Sequence, residues 1–254
     1  MSVFQYPALS DNYNWIIICN ETGKCAGVDI YDPEPLFKYT QEHDLELISV
    51  LNTHHHFDHV GGNEQISKKY KNIIFYGSKY DYENKRIACQ NESLSEGNSF
   101  NIGKINISVL DIPGHTLGHI CYYNDDFAFV GDTLFASGCG KLFEGTAQQM
   151  FISHNKLINN LNHSKPVYCG HEYTLSNLKF ACSLNDEYFR VYFNKIASLR
   201  EQKEMTVPTN LETELKFNPF LMVRNEKFKN DIFNMSNLNS EEAFATLRKK
   251  KDSF

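Results

Sequence analysis

Hydrophobic and polar residues alternate in short stretches along the first two-thirds of the chain. Ile105, Ile107 and Val109 alternate with Asn106 and Ser108, a period of two that predicts a strand with one buried face. Similar runs separated by turn residues predict strands at residues 3–6, 14–19, 26–30, 48–52, 73–76, 105–111, 120–123, 127–130 and 167–169. Helical spacing of apolar residues predicts helices at 34–43, 62–71 and 148–161. This order is typical of layered α/β or α+β folds.

The pattern changes after residue 171. Residues 175–184, 186–205 and 240–250 have helical periodicity and few β-branched clusters, so we predict two domains, at residues 1–172 and 173–254. Asn239, followed three residues later by Glu242, predicts a helix N-cap box. Pro208 and Pro219 punctuate residues 208–222, which we expect to form an irregular linker.

Composition and charge restrict the compartment and the partners. The net charge of −6 gives no reason to expect nucleic acid as the main partner, and the seven cysteines, odd in number and without a Cys-x-x-Cys pair, favour reduced thiols in the cytoplasm. The first residues lack the pattern of a secretion signal, and the apolar run at 15–19 is too short to span a bilayer. We expect a small-molecule partner, no nucleic acid or membrane partner, and a monomer or weak oligomer.

One segment carries the clearest candidate chemistry: residues 53–59 read THHHFDH, between a predicted buried strand and a glycine pair. His54 and His56 can point the same way from an extended chain, while Asp58 and His59 in the following turn can reach a second point a few ångströms away. A chance match to this spacing is expected in about one chain in a thousand of this composition. The segment therefore predicts metal ligands.

Further donors lie beside glycines near predicted strand ends: His115, Asp132 and His171. Imidazole and carboxylate ligands suit zinc, iron or manganese. Other residues are assigned differently. We expect a structural role for His55 and an orienting or packing role for His119. Asp29 either orients a ligand or caps a turn, and the remaining histidines are expected to be solvated: His43, His154 and His163.

The order of these motifs resembles the metallo-β-lactamase superfamily. LSDNY at residues 9–13, ASGCGK at 136–141, FEGT at 143–146 and CGHEYT at 169–174 resemble the glyoxalase II, or hydroxyacylglutathione hydrolase, family. NPF at 218–220 and RKKKD at 248–252 extend the resemblance into the helical tail. It implies an α+β fold: a four-layer αββα sandwich, followed by a small helical domain that binds a glutathione substrate.

The resemblance also implies two divalent metal ions per chain, with zinc favoured and iron or manganese as alternatives. By motif, His54, His56 and His115 hold one ion. The second ion is held by Asp58, His59 and His171, and Asp132 bridges the two. Asp58 and Asp132 are the residues to which we also assign a catalytic role.

The substrate residues implied by the resemblance are Lys141, Phe143, Tyr173, Arg248 and Lys251. Arg248 and Lys251 share a helix face, although a terminal basic run taken alone is more often a solvated face. Phe143 stands where some members have Tyr, which removes a hydrogen bond worth about 0.5–1.5 kcal/mol.

The implied reaction is hydrolysis of S-2-hydroxyacylglutathione thioesters, such as S-D-lactoylglutathione, to glutathione and a 2-hydroxy acid, here D-lactate, by a metal-bridging hydroxide. It is the second step of methylglyoxal detoxification. Alternatives are a persulfide dioxygenase with one iron, a generic thioesterase, lactonase or β-lactamase, and a non-enzymatic scaffold. The complete ligand set disfavours the scaffold, and the basic tail disfavours a β-lactamase.

Overall fold

The computed structural model describes residues 1–235 and 237–254 and divides the chain into two compact units. The first contains Met1–Asp111, Leu117–Asn124 and Phe129–Gly131, and the second contains Ile112–Thr116, Asp125–Ala128 and Asp132–Phe254. The predicted domain boundary after residue 172 stays a prediction.

A six-stranded mixed sheet organises the first unit. Its strands follow one another in chain order: β1 Ser2–Ala8, β2 Asn12–Ile18, β3 Lys24–Val28, β4 Glu46–Leu51, β5 Ile74–Ser78 and β6 Glu92–Leu94. The first three strands pair antiparallel, with Phe4 opposite Ile16, whereas β3 to β6 run parallel. The parallel strands β3 and β4 therefore end at the same edge of the sheet, where residue 29 and the 53–59 segment begin.

Four helices accompany this sheet: α1 Pro33–Glu42, α2 Phe57–Val60, α3 Asn63–Lys69 and α4 Lys79–Glu83. Helix α1 begins as its sequence dictates, with Asp32 accepting the backbone N–H of Glu34 and Pro33 in the first turn. Leu36 buries its side chain in one apolar cluster with Ile16 and Val50 of the sheet. Burial of this face holds the short helices in place.

A second set of strands in the first unit follows the order β10-β9-β8-β7. Their bounds are β7 Ser99–Ile102, β8 Ile105–Asp111, β9 Ile120–Tyr123 and β10 Ala128–Gly131. Ile107 and Val109 are buried while Asn106 is exposed, so the predicted alternation in this strand is confirmed. The bounds of β8 and β9 agree with the prediction.

The second unit is mainly helical. It contains β11 Leu134–Phe135, β12 Gly138–Cys139, α5 Ala147–Asn160, β13 Val167–Cys169, α6 Thr174–Leu184, α7 Asp186–Glu201, α8 Leu211–Phe217, α9 Pro219–Met222, α10 Glu226–Phe233 and α11 Ser240–Asp252. Leu178, Phe220, Phe244 and Leu247 are central members of its core. Among the described residues, no helix has the length and hydropathy needed to cross a membrane.

Two predictions about this region have opposite outcomes. The capping box at Asn239 and Glu242 is confirmed. The irregular linker at residues 208–222 is wrong, because α8 and α9 occupy it. Each begins at an asparagine cap, Asn210 or Asn218, and Pro219 occupies the first turn of α9. The proline thus marks a helix start, where its missing N–H costs nothing, rather than a loop.

Candidate metal centre and substrate pocket

The 53–59 segment places four predicted ligands together in the first unit. His54 and His59 are buried, and their ring centroids lie 4.2 Å apart. The ring of His56 lies 4.7 Å from that of His54. His56 is the N-cap residue of α2, so Asp58 and His59 fall in the first turn of that helix. Extended chain followed by one helical turn is what brings these donors to one place.

Asp29 fixes the orientation of this segment. One carboxylate oxygen accepts the backbone N–H of Thr53 at 2.8 Å, and the other accepts the Thr53 hydroxyl at 2.7 Å and Nδ1 of His59 at 3.0 Å. An Nδ1–H bond to a carboxylate leaves the lone pair of His59 on Nε2, the tautomer that binds metals. Of the two roles considered for Asp29, the structure supports the orienting one.

Asp58 has a partner that the sequence reasoning did not assign. Asn12 Nδ2 donates to Asp58 Oδ2 at 2.8 Å, and the same oxygen lies 3.4 Å from Nε2 of His59. Asn12 is buried at the start of β2, within the LSDNY motif at residues 9–13. Its residue type and its place in that motif were the available signal.

The second unit brings three more predicted ligands together. Asp132 directly follows β10, and His171 lies two residues beyond β13. One oxygen of Asp132, Oδ2, lies 3.5 Å from Nε2 of His115 and 3.3 Å from Nε2 of His171. Nδ1 of His115 lies 2.8 Å from the carbonyl of Lys141 and must donate to it, which leaves the Nε2 lone pair for a metal. A carboxylate oxygen between two imidazole nitrogens suits a bridging ligand.

The other histidines divide between structural and surface positions. The ring of His55 lies against Arg86 and buried Asp81, which fits its predicted structural role. The predicted solvation of His154 is wrong. That ring is fully buried in α5, its Nε2 lies 3.1 Å from the carbonyl of Thr133, and burial lowers its pKa to about 3. The missed signal is its position one helical turn from buried Met150 and Leu157.

A cavity of about 240 Å³ in the second unit collects four of the five predicted substrate residues. They are Lys141, Tyr173, Arg248 and Lys251. The other residues that line it are Phe135, Cys139, Ser176 and Asn177. Phe143, the fifth, does not line it. Its ring is 61% exposed, packs edge-on against His115, and lies 5.7 Å from Nζ of Lys141.

The two basic residues of α11 differ in their environment. Arg248 is buried, and its Nη1 donates to the carbonyls of Cys139 at 2.8 Å and Gly140 at 3.3 Å. Burial, with Arg248 nearby, lowers the pKa of Lys251 to about 8. Arg248 thus holds the cavity wall as well as lining the cavity, while Lys251 contributes a charge that is lost as the pH rises through about 8.

Comparison with known proteins identifies the family of the chain. Residues 30–171 match the Metallo-beta-lactamase superfamily, and residues 172–254 match the Hydroxyacylglutathione hydrolase C-terminus family. A "Hydroxyacylglutathione hydrolase" of Klebsiella pneumoniae subsp. pneumoniae is 40% identical over 257 residues, covering 100% of both chains. One of Citrobacter koseri is 39% identical over 260 residues with the same coverage.

The chain belongs to the hydroxyacylglutathione hydrolase family. The crystal structure of ETHE1 from Myxococcus xanthus shares the fold, with a TM-score of 0.72 and 21% identity over 99% of this chain and 92% of that one. The predicted fold class, a metallo-β-lactamase sandwich followed by a helical region, is therefore confirmed. The assignment of the individual metal ligands stays a prediction.

Proposed function

We propose that this chain hydrolyses S-2-hydroxyacylglutathione thioesters, with S-D-lactoylglutathione as the typical substrate, and releases glutathione and D-lactate. This places it at the second step of methylglyoxal detoxification. The observation that carries the substrate assignment is the cavity lined by Lys141, Arg248 and Lys251. Glutathione has two carboxylates, and a protein of net charge −6 needs such a local cluster of cations to bind them.

We assign the ligands of two divalent ions from the family motif, and the fixed imidazole tautomers and the carboxylates fit such ions. His54, His56 and His115 serve one ion, Asp58, His59 and His171 serve the other, and Asp132 serves both. When bound, the two ions lower the pKa of a water from about 15.7 to about 7 and so supply a nucleophile at neutral pH. Zinc at both positions is the proposed loading, with iron or manganese as alternatives.

Groups of the chain itself orient two of the proposed histidine ligands. Asp29 holds His59, and the carbonyl of Lys141 holds His115, so both rings present Nε2. No protein nucleophile is required. Burial raises the pKa of Cys169 to about 12 and also raises that of Cys139, so both stay thiols at neutral pH.

The proposed location is the cytoplasm, with a monomer or weak oligomer as the working form. All seven cysteines are free thiols, most of them buried, as expected of a reducing compartment. A small-molecule thioester is the proposed partner.

The test combines metal analysis with turnover. We expect the purified protein to hold two metal equivalents and to hydrolyse S-D-lactoylglutathione. Asp132→Ala should lose both properties, and Asp125→Ala, on an exposed turn, is the matched control that should lose neither. Two bound metals without thioester hydrolysis would refute the substrate assignment. One iron per chain, with oxygen consumed in the presence of glutathione persulfide, would favour the dioxygenase instead.

A further inference from the structure

A two-stranded hairpin connects the proposed bridging ligand to the proposed substrate loop. Strands β11 and β12 pair Leu134 with Cys139 and Phe135 with Gly138, between Asp132 on one side and Lys141 on the other. At its turn, Ser137 has φ +57°, a left-handed conformation that side chains other than glycine disfavour. Such a conformation persists only where the surroundings hold it.

The surroundings are a buried carboxylate and a buried amide from the helical region. Glu214 in α8 accepts the backbone N–H of Ser137 at 2.7 Å and the Asn218 amide at 2.9 Å. The same Asn218 nitrogen lies 3.1 Å from the carbonyl of Phe135 and 2.9 Å from that of Gly138. Both side chains have no exposed surface. The hairpin is thus held by α8 and by the cap of α9.

Two further side chains also hold the hairpin. Asn177 donates to the carbonyl of Ala136 at 3.0 Å, and its amide occupies the space that a Cβ on Gly138 would need. Arg248 donates to the carbonyl of Cys139. Both Asn177 and Arg248 also line the cavity, so the position of the hairpin and the shape of the cavity are linked.

We propose that Glu214 and Asn218 are positioning residues for thioester binding: they fix the hairpin so that its far end presents the cavity wall at Cys139 and the cation of Lys141. This inference rests on the proposed function, because the cavity is taken as the glutathione site. Neither residue lines the cavity; both act through the hairpin backbone.

Energetics favour a positioning role over a purely stabilising one. A buried carboxylate is costly to desolvate, and apolar residues of similar volume usually stabilise a fold as well or better. Burial raises the pKa of Glu214 to about 7, although the hydrogen bonds from Thr209, Asn218 and Ser137 oppose that shift. An apolar side chain in place of Glu214 could not accept the Ser137 N–H and so could not fix the position of that backbone group.

The two ends of the hairpin differ in how they are anchored. Thr133, beside Asp132, donates its hydroxyl to the carbonyl of Ile112 at 3.1 Å, so the ligand end of the hairpin has its own anchor. The Lys141 end depends on the hairpin. Loosening the hairpin should therefore weaken substrate binding more than it slows turnover.

The experiment compares Glu214→Met, which removes the acceptor at similar side-chain volume, with Thr209→Val. Thr209 donates to the other oxygen of Glu214 at 2.6 Å but makes no hairpin hydrogen bond among those described, so it is the matched control. Glu214→Gln, whose amide oxygen can still accept the Ser137 N–H, should resemble the wild type. In Glu214→Met, we expect the hairpin amides to exchange with deuterium about tenfold faster, KM for S-D-lactoylglutathione to rise about tenfold, and kcat to stay within about twofold. Asn218→Ser, which keeps an oxygen to cap α9, should behave alike.

The control separates positioning from stability. Thr209→Val should lower the melting temperature without changing KM or hairpin exchange. Equal effects of Glu214→Met and Thr209→Val on KM, or unchanged hairpin exchange in Glu214→Met, would overturn the inference. Absence of hydrolysis by the wild-type protein would instead overturn the proposed function, because hairpin exchange can be read without any substrate.

Discussion

Replacing Arg248 with Met tests whether a residue assigned to substrate binding also holds the fold. Arg248 is 5% exposed, and its guanidinium donates to two backbone carbonyls, those of Cys139 and Gly140. Methionine preserves the apolar stem but supplies no donor. The substitution therefore leaves two carbonyl acceptors without the partner that they have in the native protein.

The expected loss can be worked from these contacts. A hydrogen bond from a charged donor contributes about 1.5–3 kcal/mol, and the shorter Cys139 bond should account for most of it. The ion pair with Asp252, whose side chain is 35% exposed, adds little. A total of about 3 kcal/mol corresponds to a fall in melting temperature of roughly 6–12 °C in a chain of this size.

Thermal unfolding and steady-state kinetics should be measured on the same preparations. Lys250→Ala is the matched control, since Lys250 lies on the same helix but is exposed. We expect Arg248→Met to lower the melting temperature and to raise KM, and Lys250→Ala to do neither. A melting temperature within about 2 °C of the wild type, with KM raised, would refute the structural role of Arg248 and leave it as a ligand only.

Three further outcomes are expected. Because the pKa of Lys251 is about 8, its charge is present below that pH and lost above it, so KM should rise as the pH passes 8. Lys251→Arg should remove this rise in KM. A rise that persists in Lys251→Arg would exclude Lys251 as its source. Phe143→Tyr should lower KM about two- to tenfold if the added hydroxyl reaches the substrate, and an unchanged KM would place residue 143 outside the binding surface. Asp29→Asn should weaken metal affinity about 10- to 100-fold in a chelator competition while the far-ultraviolet circular dichroism stays unchanged, and an unchanged affinity would refute its orienting role.

The sequence predicted best where a local pattern decides the structure. Strand β8 was predicted because Ile107 and Val109 alternate with polar neighbours, a period that only a half-buried strand satisfies. The position of Asp132 directly after a strand was likewise predicted from its residue type and the adjacent glycine, which needs no knowledge of distant contacts.

What the sequence did not reveal depends on contacts between distant residues. His154 looks like a surface histidine until Thr133 and the helical core are packed around it. Glu214 and Asn218 lie in a segment that its prolines predict to be an irregular linker. Their burial is explained by hydrogen bonds to the hairpin, which lies about 80 residues earlier in the chain. Periodicity can indicate the buried face of α5, but the partners of His154, Glu214 and Asn218 come from distant segments, so composition and periodicity do not predict them.

The four basic residues at 248–251 do not share one environment, although they are consecutive in the sequence. Taken alone, four consecutive cations suggest one solvated face. In α11, Lys249 and Lys250 are exposed, whereas Arg248 and Lys251, three residues apart, line the cavity. Phe244 and Leu247 on the buried face set the rotation of the helix, and that rotation divides the run. An acidic protein thereby concentrates two cations at one cavity while the other two stay in solvent. The affinity for an anionic thioester should therefore fall when Arg248 or Lys251 is replaced, but not when Lys250 is replaced.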